Sequence, residues 1–203
     1  MLLLLSVVNK NQKKINKLAR APQQVRIIAG RWRGTKLPVI LQDDIRPTPS
    51  RVRETLFNWL QTRIEGSRCL DLFAGSGALG FEAVSRGAAH ATLVDNDQEI
   101  ISLLSKQVEK LDAQEVSLIR SDAWSYIQNC ATKFDIIFLD PPFFKYNPDE
   151  ILRLVTKSKC IKKGGLIYLE SSPEKFPKTL PEAWQWKRQL KAGQVECGLM
   201  VAQ

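Results

Sequence analysis

The chain has 203 residues, which fits one domain, and its 44% hydrophobic and 25% charged content is ordinary for a globular protein. A single histidine, His90, excludes a multi-histidine metal centre and argues against a Ser-His-Asp hydrolase, because it begins an apolar segment where a structural role is favoured. Four scattered cysteines without Cys-x-x-Cys spacing indicate reduced thiols in the cytoplasm. We expect a monomer with no metal and no membrane span.

The net charge of +9 is distributed unevenly. Residues 1–68 carry 14 Lys and Arg against 4 Asp and Glu, whereas residues 69–203 carry 16 against 17. This asymmetry predicts that the N-terminal third holds a polyanion such as RNA, while the remainder forms a neutral catalytic or binding body. A basic face that is merely solvated is the alternative interpretation.

Residues 1–24 are predicted to be a flexible basic extension. Their apolar start, Met1–Val8, follows no positive residue and is too short to span a membrane, so we do not interpret it as a signal peptide. Residues 25–203 are predicted to form a single domain, with a hairpin and helix at 25–63 attached to a core at 68–203.

The predicted hairpin consists of strands at 25–30 and 34–39 with the tip Arg31-Trp32-Arg33. An arginine and tryptophan tip could pair with phosphates and stack on bases, which favours contact with RNA.

A helix is predicted next, with Thr48 as its cap and Pro49 at its first position. Its apolar residues Val52, Leu56 and Leu60 follow helical spacing and should pack against a sheet.

Strands and helices alternate from Arg68 onward, which predicts a parallel sheet covered by helices on both faces. The predicted strands are 68–73, 91–95, 115–119, 134–139 and 165–170, and the predicted helices are 77–86, 97–110, 122–130 and 148–158. A turn at Ala192-Gly193 joins two final strands, 183–190 and 195–201, into an antiparallel hairpin. The fold class is therefore α/β, a Rossmann-like, mostly parallel sheet with an antiparallel end, as in class I methyltransferases.

The first strand of this core ends in Asp71-Leu72-Phe73-Ala74-Gly75-Ser76-Gly77. With Gly80 the loop also matches the dinucleotide pattern Gly-x-Gly-x-x-Gly, so a nicotinamide-dependent oxidoreductase stays open. Asp95 could hold the ribose hydroxyls of either cofactor. Asp71 favours S-adenosylmethionine, because a carboxylate suits its cationic sulfonium and ammonium groups. Asp122 could bond the adenine amino group or cap the following helix.

The fourth strand ends in Asp140-Pro141-Pro142-Phe143. Two prolines stop the strand ladder and fix the direction of the Asp140 side chain and the Pro141 carbonyl. Two acceptors can hold an amino group and an aromatic ring can stack on a base, so this loop predicts methyl transfer to an amino nitrogen of a nucleobase. A carbon-methylating enzyme would need a nucleophilic cysteine beside a proline in this loop, which has none.

From Val25 to Val201 the chain resembles the RsmD family of bacterial ribosomal RNA guanine methyltransferases. The supporting segments are 26–34, Arg46-Pro47-Thr48 followed by 51–60, 70–80 and 140–143. The first two are specific to the family, whereas the last two are shared with many amino-methyltransferases. The resemblance implies transfer of a methyl group from S-adenosylmethionine to the N2 amino group of one guanine in 16S ribosomal RNA, guanine 966, in the small subunit or a late precursor.

Three groups of residues would carry this function. Those acting on the base are Asp140, Pro141, Pro142 and Phe143. Those binding the cofactor are Asp71, Phe73, Gly75, Ser76, Gly77, Asp95, Asn96, Asp122 and Ala123. Those binding RNA are Arg31, Trp32, Arg33, Arg46, Arg51 and Arg53. Transfer to an adenine N6 amino group of RNA or DNA and a non-catalytic RNA-binding assembly factor remain alternatives.

Overall fold

The computed structural model describes residues 24–40, 48–142, 146–158, 160–182 and 184–202. The predictions for residues 1–23, Arg46 and Phe143 lie outside these residues. The described strands are β1 (Gln24–Arg26), β2 (Lys36–Pro38), β3 (Arg68–Asp71), β4 (His90–Asp95), β5 (Val116–Arg120), β6 (Phe134–Leu139), β7 (Ile161–Ser171), β8 (Trp184–Ala192) and β9 (Val195–Ala202). The described helices are α1 (Ser50–Trp59), α2 (Ala78–Ser85), α3 (Gln98–Leu111), α4 (Ala123–Asn129) and α5 (Pro148–Lys157).

Seven strands form one sheet in the order β5-β4-β3-β6-β7-β9-β8. The pairs from β5 to β7 are parallel, while β9 is antiparallel to both β7 and β8. The predicted fold class is confirmed. The strand order reverses between β3 and β6, and ligands of such sheets bind at the carboxyl ends of the strands beside this switch point.

The alternation of side chains along β6 divides the core into two layers. Ile136 and Phe138 face a cluster that contains Leu56 of α1, Phe81 of α2 and Leu104 of α3. The intervening residues Ile137 and Leu139 face a second cluster with the apolar residues of α4 and α5. Both faces of β6 are therefore buried, which explains its continuous apolar sequence.

The largest difference from the predicted strands is in β7, which begins at Ile161 and not at residue 165. Ile161 pairs with Phe134, and the register then shifts before Ile136 pairs with Leu166. Gly164 has a φ of 70° within this irregular stretch. Glycine tolerates that backbone conformation, so the strand includes residues 161–164, which precede the predicted strand.

The N-terminal hairpin is shorter than predicted, with only three paired positions in β1 and β2. Its turn lies on the carboxyl end of α2, where the amides of Arg31 and Trp32 donate to the Ser85 carbonyl (2.9 Å) and hydroxyl (3.0 Å). Gly30 has a φ of 81°, and a Cβ there would lie 1.7 Å from the Ser85 carbonyl oxygen. Only glycine allows this close approach, so the tip is docked on the core.

The prediction that Thr48 caps α1 is wrong. Pro49 precedes the helix with a ψ of 140°, which makes it the capping residue and not the first helical one, and no side chain bonds the free amides. The Thr48 hydroxyl instead donates to Asp140, 92 residues away. Thr48 therefore bonds a residue distant in sequence and not a backbone amide at the start of α1.

No helix among the described residues is long and apolar enough to cross a membrane. In the same parts of the chain, no group of three or more His, Cys, Asp or Glu side chains is arranged to hold a metal ion.

Candidate active site

Asp71 lies beneath the glycine loop at the end of β3, with 2% of its surface exposed. Its carboxylate accepts a hydrogen bond from the Gly80 amide at 3.0 Å. Burial raises the pKa of Asp71 to about 7, although the Gly80 hydrogen bond lowers it. In the free protein the carboxylate thus holds the loop and the start of α2. Its predicted interaction with the cofactor's cationic groups stays a prediction, and a nearby cation would favour the ionised form.

Asp95, at the end of β4, connects two loops. One carboxylate oxygen accepts from the Gly75 amide at 3.0 Å and the other from the Asp97 amide at 2.9 Å. Burial raises its pKa. Each carboxylate oxygen retains a second lone pair, so Asp95 can still accept bonds from ribose hydroxyls, as predicted. Asn96 beside it is exposed.

The turn from β5 to α4 contributes Asp122 and Ala123 to the same edge of the sheet. Asp122 Oδ1 accepts the amides of Trp124 at 3.0 Å and Ser125 at 3.1 Å, which is helix capping. The structure therefore shows the second of the two roles left open for Asp122. Its bond to the adenine amino group stays a prediction, and Ala123 is buried under the turn.

Three aromatic rings connect the loops around the glycine turn. The Phe73 ring centroid lies 5.0 Å from that of Tyr146, which stacks on Trp124 at 5.3 Å. Phe73 and Tyr146 lie in the loops that follow β3 and β6, and Trp124 lies in the first turn of α4. Sequence reasoning named only Phe73, because the other two rings stand in unremarkable segments. Tyr146 also borders a cavity of about 630 Å³ at the start of α5, and none of the predicted cofactor or catalytic residues lines it.

Asp140 follows β6 directly, on the strand that neighbours β3 at the switch point. Its Oδ2 atom accepts the Thr48 hydroxyl at 2.7 Å. Burial raises the pKa of Asp140 to about 6, and the Thr48 hydrogen bond opposes that shift. The side chain is partly exposed, whereas Pro141 after it is buried. The carboxylate is therefore fixed at one oxygen, at the same edge of the sheet as the glycine loop.

The predicted RNA-binding residues differ in how accessible they are. Arg33 and Arg51 are exposed. Arg31 stacks on the Trp32 ring at 4.2 Å and pairs with Glu115 at 2.6 Å, so it would have to exchange this partner for a phosphate. Trp32 is partly buried against Phe81 at 6.2 Å in an edge-to-face arrangement. The Trp32 ring, which was predicted to stack on bases, thus already contacts Arg31 and Phe81 of the protein itself.

Arg53 requires a correction, because it is 2% exposed and cannot lie on an RNA-binding surface. Both of its terminal nitrogens donate to the Arg26 carbonyl at 3.1 Å. It also lies 4.0 Å from Glu82, which is fully buried. Its helical position on the apolar side of α1, beside Val52, could have indicated burial.

Glu82 of α2 binds the N-terminal hairpin through hydrogen bonds, and sequence reasoning missed it. Its two oxygens accept the amides of Ile28 at 2.6 Å and Ala29 at 3.0 Å. It also accepts Arg86 Nε at 2.6 Å. A glutamate in an otherwise small and apolar helix was the available signal.

With this geometry established, the chain can be compared with known proteins. The family model described as Conserved hypothetical protein 95 matches residues 25–201. The chain belongs to the RsmD family. Among its relatives, the ribosomal RNA small subunit methyltransferase D of Escherichia coli is 45% identical over 172 residues, 85% of this chain and 87% of that protein. Its Haemophilus influenzae namesake is 40% identical over 177 residues, 85% and 91% of the two chains.

Solved structures agree with this RsmD assignment. The structure of yhhF from Escherichia coli superimposes with a TM-score of 0.81 at 42% identity, covering 89% of this chain and 99% of that one. That of HI0767 from Haemophilus influenzae gives 0.76 at 36% identity with the same coverage. The predicted family and the methyltransferase fold are confirmed.

Proposed function

We propose that this RsmD-family protein transfers a methyl group from S-adenosylmethionine to the exocyclic N2 amino group of one guanine in 16S ribosomal RNA. By family resemblance the base is guanine 966, in the assembled or assembling small subunit in the cytoplasm. The observation that carries the proposal is the placement of Asp140-Pro141-Pro142 and the glycine loop on adjacent strands at the switch point of the sheet.

The cofactor half of the site, which comprises the glycine loop with Asp71, Asp95 and Asp122, suits S-adenosylmethionine because its side chains are acceptors and carry negative charge. Asp95 and Asp122 offer acceptors to ribose and adenine, and Asp71 supplies negative charge near the loop. S-adenosylmethionine would contribute an electrophilic methyl group on a cationic sulfur. A nicotinamide cofactor is less favoured, because the Asp71 carboxylate near the loop suits a cationic sulfonium and ammonium better than an anionic pyrophosphate.

The base half overcomes the weak nucleophilicity of an aromatic amino group. The guanine lone pair is delocalised into the ring, so the nitrogen must be drawn out of conjugation. Asp140 and the Pro141 carbonyl would accept its two N–H bonds and direct the lone pair towards the methyl carbon. The N–C bond then forms as the S–C bond breaks, and the nitrogen loses a proton to Asp140 or water. Positioning and electrostatics supply most of the acceleration.

The test is methyl transfer to defined substrates. Purified protein is given S-adenosylmethionine with a labelled methyl group and either naked 16S ribosomal RNA or small subunits from a strain that lacks the corresponding gene. Mass analysis of digested RNA should find N2-methylguanosine at a single position. N6-methyladenosine would support the adenine alternative, and binding without transfer would support the assembly-factor alternative. Tight NAD binding without S-adenosylmethionine binding would overturn the cofactor assignment.

A further inference from the structure

A chain of buried polar side chains lies behind Asp140. Thr48, 8% exposed, donates to Asp140 Oδ2 at 2.7 Å. Glu170, 2% exposed, follows the β7 residue that pairs with Leu139, so the two carboxyl groups stand at corresponding ends of neighbouring strands. Glu170 Oε2 accepts the Tyr168 hydroxyl at 2.8 Å, and Thr48 is the other side chain whose hydrogen bonding affects the pKa of Glu170. Neither Thr48 nor Glu170 is needed to account for the methyl transfer described above.

The hydroxyl of Thr48 has one proton, so it can donate only one hydrogen bond. This fixes the direction of the hydrogen bonds on either side of Thr48. If that proton is donated to Asp140, Thr48 can only accept from Glu170. Glu170 must then be a neutral acid that donates its own proton to Thr48, while it accepts from Tyr168. Burial raises the pKa of Glu170 well above its ordinary value, and the Asp140 charge raises it further, so the neutral form is favoured.

The same arrangement protects the charge of Asp140. Among the described residues, the Asp140 charge raises the pKa of Asp71, Tyr168, Glu170 and Cys197. Burial raises the pKa of each one, to about 7 for Asp71 and about 11 for Cys197, so the thiol and the phenol stay neutral at pH 7. Thr48 is the donor that lowers the pKa of Asp140.

We propose that Thr48 and a protonated Glu170 are positioning residues for Asp140, forming a directed chain Tyr168 to Glu170 to Thr48 to Asp140 that holds Oδ2 and leaves Oδ1 for the base amino group. This inference rests on the proposed function, in which Asp140 accepts from the substrate. It gives the N-terminal segment a role in catalysis, because Thr48 precedes α1 and belongs to the part of the chain expected to hold RNA.

The first test compares Thr48→Val with Thr48→Ser. Without the hydroxyl, Asp140 loses a charge-assisted hydrogen bond, so the acidic limb of the kcat–pH profile should move up by about one pH unit. At a pH well below both limbs kcat should therefore fall about tenfold, and at pH 7 about twofold. Serine keeps the hydroxyl and should restore both values. Thr55→Val in α1 is the matched control, because the Thr55 hydroxyl donates to the Arg51 carbonyl within that helix. Affinity for S-adenosylmethionine and the melting temperature are measured for every variant.

The second test asks whether Glu170 is neutral. Glutamine has no charge but can donate to Thr48 and accept from Tyr168, so Glu170→Gln should leave the acidic limb in its wild-type position. Glu170→Leu removes the donor to Thr48 and should lower kcat more than it changes KM. If Glu170 is ionised in the native protein, Glu170→Gln removes a negative charge beside Asp140 and moves the limb to lower pH, which would overturn the proposed protonation.

A third measurement does not depend on turnover, so it separates this inference from the proposed function. Carboxyl carbon NMR of the free protein, with Asp140→Asn for assignment, should give Asp140 a pKa near 6 in the wild type. The value should be about one unit higher in Thr48→Val and unchanged in Thr48→Ser. An unchanged Asp140 pKa in Thr48→Val, or a Glu170 that ionises below pH 7, overturns the chain even if the enzyme methylates its proposed substrate.

Discussion

Asp95 and Asp140 stand at the carboxyl ends of two strands of one sheet but are held in different ways. Asp95 accepts backbone amides, among them those of Gly75 and Asp97, from loops within the Rossmann-like core. Asp140 is held by the side chain of Thr48, which lies outside that core in sequence. The cofactor half of the site is thus fixed by its own loops, whereas the base half is completed by the N-terminal segment.

This difference couples catalysis to the docking of the N-terminal segment. The contacts of the segment with the core include Thr48 on Asp140 and the hairpin on Glu82 and Ser85 of α2. Helix α2 begins at the glycine loop. A change that loosens the segment should therefore impair the base half before the cofactor half, and the following predictions test that order.

The largest effect should come from Glu82→Ala. The substitution leaves Arg53 buried without its charge partner and frees two buried backbone amides, so the free energy of unfolding should fall by about 3–5 kcal/mol. Chemical denaturation measures it. Glu99→Ala, at an exposed position of α3, is the matched control. A loss below about 1 kcal/mol would show that the hairpin docks without Glu82.

Asp140→Ala should abolish methyl transfer while S-adenosylmethionine affinity stays almost unchanged, because we propose that the carboxylate binds the base and not the cofactor. We expect a barrier increase on the order of 3 kcal/mol or more, as for removal of one preorganised polar group. Single-turnover kinetics and calorimetry separate the two quantities. Near-normal turnover by this variant would falsify the assignment of Asp140.

Asp95→Ala should show the opposite pattern. Loss of charge-assisted bonds to the ribose should weaken S-adenosylmethionine binding by about 1–3 kcal/mol. At saturating cofactor the rate of transfer should recover, since Asp140 is untouched. Asp112→Ala, at the end of α3, controls for the removal of a charge. If Asp95→Ala lowers the saturated rate as strongly as Asp140→Ala does, the two halves are not separable.

The smallest effect concerns RNA affinity. Arg33→Ala with Arg51→Ala removes two exposed charges, so the slope of log affinity against log salt should decrease by about 2. Arg31→Ala should change the slope less than Arg33→Ala or Arg51→Ala alone, because Arg31 is already paired with Glu115. Lys187→Ala with Arg188→Ala on β8 removes the same charge from the other end of the chain. Equal slopes for the two double variants would show that the basic N-terminal third is only a solvated face.

The sequence was sufficient for the sheet and for both loops of the site, because these depend on local patterns. β6 was predicted at its observed bounds, since its six residues are buried on alternating faces and both faces are apolar. The glycine loop and Asp140-Pro141-Pro142 were recognisable because each combines a strand end with residues of restricted backbone geometry. The bounds of β7 were missed, because continuation through Gly164 depends on pairing with β6 and not on β7 itself.

Partners distant in sequence could not be predicted in this way. Thr48 is of a residue type that caps helices and stands just before α1. Its hydroxyl bonds Asp140 because folding brings the end of β6 close to it. Arg53 was counted with the surface arginines, although it lies in the interior beside Glu82 and donates to the Arg26 carbonyl. What the sequence determined alone is the succession of strands and helices along the chain, the glycine loop and the residue types of the proposed site. Tertiary structure decided which charges are exposed and which donors fix the carboxylates, because hydrogen-bond partners depend on distances that folding sets.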